Sequence, residues 1–429
     1  MSKSMIGKRI VLATIGSLGD LHPMLALATE LARRGHHLTI ASTPFYRERV
    51  EALGFAFSPL RPDWDPTDHS LIAQCEDRKR GPEILFRQLI LPHLRATYDD
   101  LRKATAGADL MLAGELVYPA PLIAEKYALP WASVILSPTS FFSVHDPSLL
   151  VNVPALYRLR NAGPLLNRTL LNAGKLLNRH WWKPVRELRR ELGLSTQCDP
   201  VFRDKFAPDL VLALFSSIFA QPQKDWPRQT IQPGFLFYDH APEDRRLDAR
   251  STTALQAFLA DGEPPLVFTQ GSTAVHHPGS FYETSVAAAR LLKRRALLIG
   301  ADIPTESGDI LSLPYVSYAE VFPHAAAIVH QGGSGTTAQA LRAGRPQLIV
   351  PFGWDQPDNG MRVARAGAGI CMARREYQMG AAVSGLKALL ENSSYEARAR
   401  SLAIEMQAEE GLPAACDALE RTAGGAVKA

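Results

Sequence analysis

The residues in this sequence best suited to chemistry sit in three short glycine-flanked stretches: "GSLGDLHP" at 16–23, "HQGGSGTTAQALRAGRP" at 330–346 and "PFGWDQPDN" at 351–359. In the second, glycines follow an apolar run and precede a helix. Such glycines let backbone approach a bulky anion, and a helix start directs unpaired N–H groups at it. Gly332, Gly333, Ser334, Gly335 and Thr336 could therefore form a phosphate cradle favoured by the positive helix end. His330 could donate a ring N–H to the same anion. A tight strand-to-helix turn with a capping serine is the plainer alternative.

In the third stretch, Asp355 and Gln356 place an acid beside an amide, able to accept from and donate to vicinal hydroxyls. Tyr315 and Val316, in "LPYVSYAEVF", stand where a flat base could stack and pair with backbone. Phosphate, hydroxyls and base, met in that order, describe a nucleotide diphosphate sugar.

The elements that must carry these groups follow one plan, used twice. "RIVLATI", a glycine turn, a helix through "MLALATELARRGH" and "HLTIAST" read as strand, helix, strand, with Pro23 suited to a first helical turn and Gly35 to a C-terminal cap. "LMLAG" and "WASVILS" are further strands. The second half repeats the plan in "PLVFTQGST", the helix "FYETSVAAARLLKRRA", "LLIG", "AAIVH" and "PQLIVPF". This predicts an α/β protein of two Rossmann-like domains with parallel sheets facing across a cleft, where ligands of such sheets bind. The boundaries read as an acceptor domain at 1–225, a proline- and charge-rich linker at 226–245, and a nucleotide-sugar domain at 246–410, with a helix at 411–429 able to pack back on the first domain.

Composition narrows the classes. Hydrophobic residues at 46% and charged residues at 21% suit a globular protein, and a net charge of +4 is too small for a nucleic-acid footprint. Cysteines 75, 198, 371 and 416 form no CxxC pair, so neither zinc nor a disulfide framework is expected. The apolar run "IVLATI" is too short for a signal-peptide core, and no run approaches the ~20 residues of a membrane span. A cytoplasmic setting is the expectation.

The stretch 315–369 resembles the donor signature of the GT-B nucleotide-sugar-dependent glycosyltransferases, the UDP-glycosyltransferase family: histidine, Gly-Gly-Ser-Gly-Thr-Thr, "AGRP", "DQ" and Asn359 keep the family's order and spacing. "PLVFTQGST", "PQKDWP" and "GSLGDLHP" are similar to bacterial members, most closely the rhamnosyltransferases of rhamnolipid synthesis and glycopeptide-type enzymes. The resemblance implies an inverting, metal-independent enzyme without a resident cofactor, whose co-substrate is a UDP- or dTDP-hexose. It assigns Ser272 and His330 to the diphosphate, Ser334 to Thr336 to phosphate amides, and Asp355 and Gln356 to sugar hydroxyls, with Ser17, Trp354 and Asn359 also on the donor side. Relatives using UDP-sugars often carry a glutamate on this helix that grips the ribose; the matching position is Ala338, beside Gln339, which leaves a dTDP-sugar open.

Inverting transfer needs a base for the acceptor hydroxyl. Relatives place a histidine in a "GHxxP" slot; aligned on Pro23, this sequence has Asp20 there, as glycopeptide-type relatives do, with His22 as the alternative. Aspartate is ordinarily the weaker base, titrating near ~3.9 against ~6.5, unless desolvation raises it. Both residues could instead cap the helix.

Acceptor contacts are expected from Glu115 and from Ser137, Thr139, Phe141, Phe142 and His145 in "SPTSFFSVH", although the aromatic pair could equally be core. The stretch 149–190 mixes leucines with arginines and lysines and carries a single acid, Glu187. It reads as helices with a basic face in water, or as a face resting on anionic lipid at the membrane surface. "DWD" at 63–65 mimics a metal-binding DxD but stands in a proline-rich loop, so no metal is expected. A non-catalytic nucleotide-sugar or lipid carrier is the other reading. An oxidoreductase is disfavoured because "GSLGD" is not G-x-G-x-x-G.

Overall fold

The computed structural model describes residues 7–77, 79–239, 247–271, 279–301 and 308–424. The first sheet contains β1 (Arg9–Ala13), β2 (His37–Ser42), β3 (Ala56–Pro59), β4 (Leu110–Gly114), β5 (Trp131–Ile135), β6 (Leu210–Ala213) and β7 (Thr230–Ile231). Its order is β3-β2-β1-β4-β5-β6-β7, and every pairing is parallel. The second contains β8 (Leu266–Thr269), β9 (Ala296–Ile299), β10 (Ile310–Leu313), β11 (Ala327–His330), β12 (Gln347–Ile349) and β13 (Gly369–Cys371). They run in the order β10-β9-β8-β11-β12-β13, again all parallel.

Both sheets are buried on two faces, which is why their strands are continuous apolar runs rather than alternating ones. In β1, Val11 and Ala13 enter the core on one side and Ile10 and Leu12 the core on the other. Leu266 and Phe268 of β8 likewise oppose Val267. Strand order reverses between β1 and β4 in the first sheet and between β8 and β11 in the second. Crevices open at such switch points, at the carboxyl ends of the strands. The turns after β1, β8 and β11 are the glycine-rich ones.

The helix after β1 spans Leu18–Arg33. It starts earlier than its proline suggested: Ser17 caps it, Asp20 completes the capping box, and Pro23 lies inside rather than in the first turn. The reciprocal Ser17–Asp20 bonds satisfy two orphan N–H groups, and this outweighs the single bond that Pro23 cannot donate. Gly35, with φ +91°, closes the other end in the left-handed conformation.

Part of the expected linker is sheet, since β7 pairs with β6; residues 240–246 lie outside the described residues. The helix Gly411–Ala423 packs against Leu18–Arg33, burying Cys416 and Leu419, with Arg34 bonded to Asp417 and Glu420. One hydrophobic cluster joins the two halves, bringing Ile135, Val211 and Phe215 together with Leu341, Ile349 and Leu402. A buried ionic cluster does the same: Arg362 binds Asp358 at 2.7 Å and Asp146 at 2.6 Å, and Asp358 also accepts from the Leu149 N–H.

Candidate functional site

Asp20 lies in the first turn of the helix that follows β1. Its Oδ2 accepts from the Ser17 N–H at 2.8 Å and the Ser17 hydroxyl at 3.2 Å. Gly16, with φ +146°, makes room for it: a Cβ there would come 2.2 Å from Asp20 Oδ2. The first glycine of "GSLGD" therefore lets the carboxylate fold back against the turn. Burial pushes the Asp20 carboxyl up to about 6 from an ordinary 3.8; the Ser17 bonds oppose this, while the charges of Glu115 and Asp355 add to it. Desolvation wins over the helix end.

His22 faces elsewhere. Two residues on in a helix is roughly 200° around the axis, so it cannot share Asp20's direction. Its ring packs on Tyr238 of the inter-sheet segment at 5.1 Å.

Across the crevice, helix Ser334–Arg342 starts at Gly333 with no side-chain cap. The first backbone acceptor inside the helix serves Thr337, whose N–H reaches Gly333 O. The N–H groups of Ser334, Gly335 and Thr336 thus form an uncapped mouth, and a Cβ on Gly335 would meet nothing within 4 Å. Gly332 is required for another reason: at φ +91°, a Cβ would stand 2.8 Å from Ile349 and 2.9 Å from the Gln356 carbonyl. Ser334 Oγ donates to Asp355 Oδ2 at 2.8 Å, which ties the mouth to the loop after β12.

Several expected roles change. His330 is wholly buried; its Nδ1 accepts from the Gly332 N–H at 3.0 Å and its Nε2 meets Gln347 Oε1 at 2.9 Å. Burial lowers its pKa to about 4, so the ring is neutral and braces the glycine loop instead of pointing a proton at an anion. Asn359, also fully buried, donates to Gly332 O and Asp355 Oδ2, holding the loop from behind. Ser17 is occupied as a helix cap. Gln356 Oε1 accepts from the Phe352 and Gly353 N–H groups. Val316 turns its side chain into the core and offers a ligand backbone alone, whereas Tyr315 is half-buried. Ser272 lies outside the described residues.

Trp354 takes φ +56°, a strained conformation for its type, and packs against the core beneath the first sheet. It carries the 353–356 loop across to the first domain, where Gly353 approaches the Glu76 backbone.

On that side, Glu115 accepts from Ser140 Oγ at 2.7 Å and pairs with Lys205 at 3.0 Å. Ser137 and Thr139 bond each other at 3.0 Å. The aromatic pair divides. Phe141 stacks between Trp226 and Phe206 and is core, because its neighbours come from later strands and loops. Phe142, at φ +49°, stays half-exposed against Phe202, and His145 is exposed beside it. Asp65 of "DWD" accepts from the Thr67 N–H and hydroxyl, closing a loop turn.

Two residues outside the expected set, Gln270 and Gln331, also stand here. They end the adjacent strands β8 and β11; Gln270 is wholly buried with no partner on either amide atom, and Gln331 Oε1 has none. Gln331 threads past Gly271 and Gly333, where a Cβ would come within 2.0 and 2.9 Å of its Nε2. The signal for them is the repeated "QG" after each apolar strand, "FTQG" and "VHQGG".

Comparison with known proteins matches residues 10–139 to the N-terminal domain of glycosyltransferase family 28 and residues 300–416 to the C-terminal domain of proteins like erythromycin biosynthesis protein CIII. The chain is 32% identical, over 97% of each sequence, to the O-mycaminosyltylonolide 6-deoxyallosyltransferase of Streptomyces fradiae. It is 27% identical to the vancomycin aglycone glucosyltransferase of Amycolatopsis orientalis, covering 84% of this chain and 85% of the relative. The fold matches the glycosyltransferase of kitacinnamycin with a TM-score of 0.72 at 20% identity, covering 97% of this chain and 99% of that one.

Proposed function

The protein belongs to the GT-B glycosyltransferases of natural-product type, and from that premise we propose that it moves a hexose, glucose or rhamnose, from a UDP- or dTDP-sugar to a hydroxyl of a small apolar acceptor, with inversion and without a metal. One observation carries this reading. The Asp20 carboxylate, in the first turn of the helix after β1, lies within electrostatic reach of Asp355, which is bonded to the uncapped helix mouth of the second domain.

In the proposed reaction the acceptor oxygen attacks the anomeric carbon as Asp20 takes its proton. The bond from that carbon to the diphosphate oxygen breaks, and the leaving group keeps the electron pair. The N–H groups of Ser334, Gly335 and Thr336, with the roughly +0.5 charge of the helix end, neutralise it. A carboxyl titrating near 6 is ionised at neutral pH yet more basic than free aspartate, which suits the role. Asp355 and Gln356 would orient the sugar hydroxyls, and Tyr315 would stack on the base.

The donor preference rests on Ala338 and Gln339. Ala338 is buried, and Gln339 donates to Asp239 at 2.8 Å, so neither offers a carboxylate to a ribose. That favours tolerance of a deoxyribose, and among structures of this fold a spinosyn rhamnosyltransferase was solved with thymidine diphosphate. The test adds donor and a panel of phenols, alcohols and hydroxy acids and follows release of UDP or dTDP. Asp20→Asn should keep the thermal shift produced by donor and lose turnover by about 10²–10⁴-fold, the usual worth of a positioned base. His22→Ala should change turnover only a few-fold; the reverse ranking would reassign the base.

A further inference from the structure

We propose that the outward face of residues 153–177 is a docking surface for an anionic phospholipid bilayer. Thirteen large apolar side chains are exposed among the described residues, and seven of them fall in this stretch. Leu165, Leu176 and Leu177 are 83%, 70% and 74% exposed, and Leu166 is 40% exposed. All four belong to the helix Pro164–Asn178.

That helix is inside out by the standard of a globular surface. Its polar Asn167 is the buried residue, donating to the carbonyls of Val144 and Arg160. Lys175 turns inward to Asp199 and lies over the Phe202 ring. With Asn167 and Lys175 pinned, helical spacing sends Leu166, Leu170, Ala173 and Leu177 along one outer stripe, flanked by Leu165 and Leu176.

The rim selects the occupant. Arg158, Arg168 and Arg179, in or next to this stretch, are exposed, and among the described residues none of them is paired with an acid. The lone acid between 149 and 190, Glu187, is engaged by Lys183 at 3.5 Å. Leucines ringed by unneutralised arginines are the composition of a helix lying in a lipid headgroup layer, with the arginines reaching anionic phosphates. A second copy of this chain would bring the same positive charge against itself, which disfavours self-pairing. The pinned side of the helix touches the 142–146 loop through Val144, so the docked helix would stand between the bilayer and the loop carrying Phe142 and His145, near where an apolar acceptor would bind. That last consequence rests on the function proposed above; the docking itself does not.

The test is flotation of the full chain with phosphatidylcholine vesicles, with and without phosphatidylglycerol, at low salt. The expected result is flotation with the phosphatidylglycerol vesicles and little with phosphatidylcholine alone. Leu176→Asp with Leu177→Asp should abolish it, and Arg168→Gln with Arg179→Gln should weaken partition about 25-fold, fivefold for each charge. Because all four side chains face outward, the thermal midpoint of each variant should match the wild type. Absence of flotation at low salt, equal flotation with both lipids, or a wild-type dimer that the leucine variant converts to monomer would each overturn the proposal. None of these readouts uses enzymatic turnover, so the outcome is independent of the transfer reaction.

Discussion

The Asp20 carboxylate and the Asp355 carboxylate, 335 positions apart in the sequence, lie close enough that the charge of Asp355 helps hold the Asp20 proton, after burial and alongside Glu115. Asp20 stands after β1, at the switch point of the first sheet, and Asp355 stands in the loop after β12 of the second. Asp355 is bonded in turn to Ser334 at the uncapped helix start, so Asp20 stands near that helix start.

The first prediction concerns pH. A base must be ionised, so kcat/KM should fall as pH drops through about 6, not near the ordinary aspartate value of 3.8. Glu115→Gln removes a charge that raises Asp20 and frees the Lys205 cation, so the acid limb should move to lower pH. By linkage, a carboxyl whose pKa is raised on folding stabilises the fold below its unfolded pKa and loses that contribution as pH rises through about 6. Asp20→Asn should therefore raise the thermal midpoint at neutral pH, in a calorimetric comparison, while removing activity.

Gly16→Ala tests the seat of that carboxylate. A Cβ 2.2 Å from Oδ2, on a residue at φ +146°, must displace Asp20 and strain the turn. Turnover should drop by roughly 10²-fold or more, the scale of losing a positioned base, with donor-induced thermal shift retained. Unchanged turnover would show that the carboxylate position does not matter.

The ionic cluster joining the two halves should be sensitive to truncation. Arg362→Met would leave Asp358 and Asp146 without their buried partner, costing about 3–5 kcal/mol in urea denaturation. Arg87→Met, which breaks an exposed pair with Glu83 at 2.6 Å, should cost under about 0.5 kcal/mol. The comparison separates burial from mere pairing.

The aromatic pair should separate stability from binding. Phe141→Ala opens a hole between Trp226 and Phe206 and should destabilise by about 3–5 kcal/mol. Phe142→Ala should leave the unfolding midpoint near wild type and raise the KM for an apolar acceptor, read in steady-state kinetics.

The fold was legible from residues alone because its signals are local. Apolar runs of strand length broken by glycine, and helical runs between them, specify parallel sheets whatever their partners. "GSLGDLHP" and "HQGGSGTT" carry their own turns, so the glycine-led helix start could be read from the residues, while the acid slot was read from the family resemblance. The helix start could not be placed from Pro23, because a side-chain capping box competes with a proline signal and prevails.

What the tertiary structure alone decided is which polar groups remain available. The partners of His330 are Gln347 and Gly332, so its neutrality follows from a neighbouring strand. Phe141 became core and Phe142 did not because Trp226 and Phe206 arrive from distant segments to cover one ring. The leucines of Pro164–Asn178 face outward because Asn167 finds two carbonyls inside. Sequence spacing determines which residues share a face; desolvation and hydrogen-bond pairing depend on whatever folding brings opposite them, and only those determine which acid holds its proton.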